Sequence, residues 1–122
     1  MSHPKPQKQN LDSASTDTIG KISMQMAKLE GVIAMRVTVN PGGAWSKDLK
    51  QRAGTESCQK GHVGYMLSGR LAIRMNDGGE EVFGPSDVFM VPPGHDAWCS
   101  GDEPAIFVEF SKGADYYSDR TK

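Results

Sequence analysis

From residue 31 onward, apolar and polar side chains alternate in short runs of period two. In "VIAMRVTV" (32–39), Ile33, Met35, Val37 and Val39 fall on one face, with Arg36 and Thr38 on the other. "RLAIRM" (70–75) sets Leu71, Ile73 and Met75 against Arg70 and Arg74. Successive strand side chains point to opposite sides of a sheet, so each run predicts a strand with one buried face. "DVFMVPPG" and "AIFVEF" predict two more, the first cut short by Pro92-Pro93-Gly94, which cannot continue a central ladder. Asn40-Pro41-Gly42-Gly43 and Asn76-Asp77-Gly78-Gly79 are turn sequences. Further turn signals recur near residues 54, 69, 85, 93, 101 and 113. This is the spacing of about 8–12 residues expected of a sandwich or barrel. The fold class predicted is all-β, an antiparallel jelly roll or small closed barrel, which limits exposed sheet edges.

The first 20 residues are polar, contain two prolines and lack apolar periodicity. They predict a flexible tail with at most an edge contact, leaving residues 21–122 as a single domain. "KISMQMAKLEG" (21–31) reads either way: Ile22, Met26 and Leu29 suit one helical face, and the same stretch could lead into a strand.

A chain of 122 residues has room for one core. Fourteen basic and 15 acidic residues are interspersed, for a net charge of −1. That balance offers no electrostatic footprint for nucleic acid or an anionic membrane. No apolar run reaches the ~20 residues of a membrane span, and the opening "MSHPKPQKQN" lacks the apolar core of a secretory leader. The expectation is therefore a cytoplasmic protein with its two cysteines, Cys58 and Cys99, reduced. The methionines at 24, 26, 35, 66, 75 and 90 are expected to fill the core, and Trp45 and Trp98 to pack against it or wall a ligand.

Chemistry is concentrated in two places. In an extended strand Glu56 and Cys58 share a face, as do His62, Gly64 and Met66, and again His95, Ala97 and Cys99. If these faces line one interior, Glu56, Cys58, His62 and His95 converge as carboxylate, thiolate and imidazole donors, a set suited to Zn²⁺ or another borderline divalent ion. The same residues also fit an ordinary core, with Cys58 a small hydrophobe and the histidines hydrogen-bonded. A meeting of Cys58 and Cys99 across that interior is a further alternative that spacing alone does not decide. No nucleophile triad and no phosphate-binding glycine loop is evident.

The segments "ESCQKGHVGYMLSG" (56–69) and "GPSDVFMVPPGHDAW" (84–98) resemble the two sequence motifs of the cupins. The likeness covers residues 31–111 and is carried by "YMLSGRL" and "PSDVFMVPPG". It implies a small jelly-roll barrel, commonly dimeric, with one divalent metal inside. The usual ligand identities are rearranged, however. Counting back from Gly69, His62 stands at the motif's glutamate, and Glu56 and Cys58 stand at its two histidines. The last histidine position is Ala97, with His95 two residues earlier, and Ser86 replaces a usual glycine. The resemblance thus implies a metal held by Glu56, Cys58, His62 and His95, zinc ahead of iron or nickel because thiolate is a soft donor. It implies a small-molecule ligand or substrate in the barrel mouth and names no reaction. The alternative it leaves is a non-catalytic binding or sensory module, metal-free or structurally metallated. A homodimer is expected through Val63, Tyr65 and Leu67, which alternate away from the interior and need cover.

Overall fold

The structure is a computed structural model that describes residues 5–111. After a 3₁₀ turn at Leu11–Ser13 come three antiparallel strands, β1 (Thr16–Ile19), β2 (Ile22–Leu29) and β3 (Val32–Val39). Two short helices follow, α1 (Trp45–Asp48) and α2 (Lys50–Ala53). The chain then forms β4 (His62–Ser68), β5 (Leu71–Met75), β6 (Glu80–Phe83), β7 (Val88–Val91), β8 (His95–Cys99) and β9 (Ala105–Ser111). One sheet has the order β1-β2-β3-β9-β4-β7, and a second has the order β6-β5-β8. All pairings between strands are antiparallel. The all-β jelly roll expected from the alternation is the observed architecture.

Two departures concern the first third of the chain. Residues 22–29, compatible with a helix or a strand, are a strand: it pairs with β3 along its whole length, from Ile22↔Val39 to Leu29↔Val32. A ladder of that length outweighs the weak local preference for a helix. The tail expected up to residue 20 gives way to structure earlier. Thr16–Ile19 pair with β2, and Gly20, with φ of 59°, makes the hairpin turn that allows it. Before that strand, Asp12 holds Arg36 at 2.8 Å and the Gln7 amide oxygen accepts from the Glu30 N–H at 2.9 Å. The polar composition signalled disorder, but an edge strand exposed to water on both faces needs no apolar pattern.

The core lies between the sheets. Met66 and Ala105 are fully inaccessible, and Ile22, Val39, Leu71, Ile73, Phe89, Val91 and Phe107 are buried around them. Phe89 stacks on Phe83, ring centroids 5.0 Å apart, and meets Phe107 edge-on at 5.5 Å. Trp45 is buried at the start of α1, as a packing residue. Met24, Met35, Met66 and Met75 serve the core as expected, whereas Met26 and Met90 are exposed. Met90 belongs to the outward face of β7, where the strand's alternation takes it away from the core. No helix of the described residues is long and apolar enough to cross a membrane.

Candidate metal centre

Three of the four predicted donors come together at one end of this core. β4 begins at His62 and turns His62, Gly64 and Met66 inward, while β8 begins at His95 and turns His95 and Cys99 inward. The segment between α2 and β4 is drawn against the start of β8. The Cys58 N–H donates to the His95 carbonyl at 2.7 Å, and the Gly94 N–H donates to the Cys58 carbonyl at 2.7 Å. Gly94 makes the bend with φ of 93°, a conformation that costs a residue with a side chain far more. One ligand atom each from Cys58, His62 and His95 then lies within 4.8 Å of the other two.

Glu56 is not part of this cluster. Its side chain is 95% exposed and pairs with Lys50 at 3.3 Å. Placing it beside Cys58 required an extended strand through 56–58. Instead α2 ends at Gly54 in the left-handed conformation, and residues 55–57 bend, so the period-two rule does not apply. The Cys58 backbone pairs with β8 through an isolated bridge to His95 rather than a strand ladder.

A carboxylate does reach the site, from a residue the sequence reading did not single out. Glu109, on β9, accepts from His62 Nδ1 at 2.8 Å and is largely shielded from solvent. It stands opposite Gly64 in the ladder, and the absence of a side chain there leaves its path open. A Cβ on Gly64 would come within 3.0 Å of the Glu109 Cα and 2.8 Å of the Phe89 ring. The available signal was a single acid at an inward position of the apolar run "AIFVEF".

These contacts fix the chemistry of both rings. The His95 Nδ1 lies 2.8 Å from the Pro92 carbonyl, an acceptor only, so this nitrogen carries a proton and Nε2 is the nitrogen left to the cluster. His62 Nδ1 likewise donates to Glu109, leaving Nε2 facing the Cys58 sulfur at 3.5 Å. The two rings meet edge to face, centroids 5.1 Å apart. Burial alone would push the Cys58 thiol up, but hydrogen bonds from His62 and His95, the Lys60 backbone and the charge on His62 outweigh it, bringing the thiol to about 6. Burial would likewise pull His62 down, and its contacts with Cys58 and Glu109 push it up to about 10. Thiolate and imidazolium therefore stabilise each other when no cation is bound.

The donor set fits a borderline divalent ion. Zinc bonds of about 2.3 Å to sulfur and 2.0 Å to nitrogen place tetrahedral S and N donors roughly 3.5 Å apart, the separation found between Cys58 and His62. Two imidazoles pinned through Nδ1, one by a carboxylate and one by a carbonyl, are the usual outer support of such a centre.

No protein-family model matches the sequence, and no curated protein matches it. Solved structures do. An RmlC-like cupin from Shewanella frigidimarina superposes with a TM-score of 0.64 at 19% identity, over 90% of this chain and 93% of that one. The polyketide cyclase RemF from Streptomyces resistomycificus gives 0.64 at 12% identity, over 97% and 94%. Oxalate decarboxylase from Bacillus subtilis, a protein with Mn(II) centres, gives 0.58 at 22% identity, over 84% of this chain and 28% of the longer one. The two-sheet antiparallel barrel, with its candidate site at the start of β4 and β8, thus has the cupin fold.

Proposed function

We propose that this chain is a metal-binding cupin-fold barrel in which Cys58, His62 and His95 hold a divalent ion, zinc ahead of iron or nickel, and a small molecule meets that ion in the barrel mouth. The observation that carries the reading is the pinning of both Nδ1 atoms, which turns the two Nε2 atoms toward the Cys58 sulfur as the donors a cation would take once the proton shared by Cys58 and His62 is lost. Three protein donors leave a coordination position open, the feature that separates zinc sites with exchangeable ligands from closed structural ones. A bound ion would supply Lewis acidity at that position. Glu109 keeps His62 in the ligating tautomer. The Mn(II) centres of a similar fold support a metal in this barrel without fixing which one.

Titration of the purified protein with zinc against a chromophoric chelator tests this. Wild type should bind one equivalent, and Cys58→Ser, His62→Ala and His95→Ala should each lose at least about tenfold in affinity, since each removes a direct ligand. A wild-type chain that takes up neither zinc, iron nor nickel would sink the reading. The burial of Cys58 and His95, 7% and 3% exposed, favours a second role, in which the ion clamps the 54–61 segment to β8 and meets no ligand. Cobalt substitution separates the two, because a small anion such as azide perturbs the spectrum only of an ion with an open position.

Self-association belongs to the same proposal. Tyr65 and Leu67 are exposed on the outer face of the larger sheet, with Val88, Met90 and Phe110 exposed beside them. An apolar face of that extent supports cover by a second copy, and a monomer in sedimentation equilibrium at micromolar concentration would refute it.

A further inference from the structure

Cys58 and Cys99 are equally withdrawn from solvent, 7% and 8% exposed, yet their sulfurs have opposite surroundings. The Cys99 sulfur lies 3.2 Å from the Glu103 carbonyl oxygen. A carbonyl only accepts, so the Cys99 S–H is the donor of this contact. The Cys58 sulfur instead faces His62 Nε2 at 3.5 Å, and the far nitrogen of that ring donates to Glu109 at 2.8 Å. Nucleophile, base and the carboxylate that orients the base stand in line, the arrangement that makes a side chain attack electrophiles.

Oxidation of such a sulfur has no disulfide outlet inside the chain. Cys99 is four residues along β8 from His95, the residue bridged to Cys58. Four residues of strand span about 13 Å, beyond the roughly 7 Å between Cα atoms that a disulfide tolerates. The chain has no third cysteine.

We propose that Cys58 is a site of oxidation by hydroperoxides, and that oxidation and metal binding exclude each other at this sulfur. The sulfur lone pair attacks one peroxide oxygen, so that an S–O bond forms as the O–O bond breaks. The departing hydroxide, or the alkoxide where the oxidant is an organic hydroperoxide, takes the proton shared by Cys58 and His62 and leaves as water or an alcohol. Sulfur ends as a sulfenic acid and the peroxide is reduced by two electrons. The oxidised sulfur is no longer a thiolate donor, and two imidazoles remain where three ligands stood. The exclusion rests on the metal-binding reading above, whereas oxidation of the metal-free chain does not.

The test uses the full chain stripped with a chelator, exposed to hydrogen peroxide, quenched with catalase, then unfolded and labelled with maleimide. Peptide mass spectrometry follows the unreacted thiol of Cys58, in peptide 53–60, against that of Cys99. Cys58 should be lost at least about tenfold faster than Cys99, and saturating zinc should slow that loss by at least about tenfold. Glu109→Ala should slow Cys58 and leave Cys99 unchanged. Equal rates for the two cysteines in the metal-free chain would overturn the oxidation site, whatever zinc does. Zinc bound without protection of Cys58 would overturn the exclusion. Fast loss of Cys58 in a chain that binds no metal would support the oxidation site and overturn the metal reading together with the exclusion.

Discussion

Metal affinity should depend on pH with a slope set by the pair that must give up its protons. Between about 6, where Cys58 loses its proton, and about 10, where His62 does, the two groups hold one proton between them. A cation bound to both requires that proton gone, whichever atom carried it, so the count belongs to the pair rather than to one residue. At pH 7.5 binding should therefore release at least one proton, and apparent affinity should fall about tenfold for each unit of acidification toward pH 6.5. Below pH 6 the thiol is protonated as well, so at least two protons compete with the ion. The loss steepens to about a hundredfold per unit or more. Isothermal titration with zinc in buffers of different ionisation enthalpy counts the protons directly, and chelator competition across pH 5.5–7.5 gives the slope. Affinity independent of pH over that range, or release of less than half a proton at pH 7.5, would refute the pairing of Cys58 with His62 as the ligating atoms.

Three further outcomes follow from single contacts. Glu109→Ala should weaken zinc binding by about 10–100-fold, the usual cost of losing the partner that orients a ligating histidine. Glu109→Gln, which still offers His62 an acceptor oxygen, should cost less, and a larger loss in Gln than in Ala would contradict the positioning role. Glu56→Gln should leave zinc affinity unchanged in chelator competition, because the carboxylate is 95% exposed and paired with Lys50. Gly64→Ala should lower stability by roughly 1–3 kcal/mol in urea unfolding, since the added methyl meets the Phe89 ring and the Glu109 backbone. Unchanged stability would show that the ladder yields there.

The barrel was legible because its determinants are local. Leu71, Ile73 and Met75 alternate with arginine over a few residues, and Asn76-Asp77-Gly78-Gly79 then forces the reversal into β6. A half-buried strand displays such a pattern without help from the rest of the chain. β1 carries no such signal. Thr16, Asp17 and Thr18 are exposed, and their place in the sheet is set by β2 as a template. Edge strands of this kind are invisible to a reading that looks for a buried face.

The site divides along the same line, with a sharper consequence for function. His62 and His95 each open a regular strand, so their inward direction followed from parity with Met66 and Cys99. Glu56 was placed by extending that parity through a segment that is not a strand, and the exposed carboxylate beside Lys50 is the result. Glu109 lies 47 residues from His62 in sequence and becomes its neighbour only because β9 is inserted between β3 and β4. The expected carboxylate, Glu56, stays outside the cluster, and the carboxylate that does reach it, Glu109, comes across the sheet rather than from the loop. There it bonds the Nδ1 of His62, on the side of the ring away from Cys58. Under the metal-binding reading proposed above, two imidazoles and a thiolate without a direct carboxylate would carry less negative charge and more soft-donor character than the four-residue set, which favours zinc over iron.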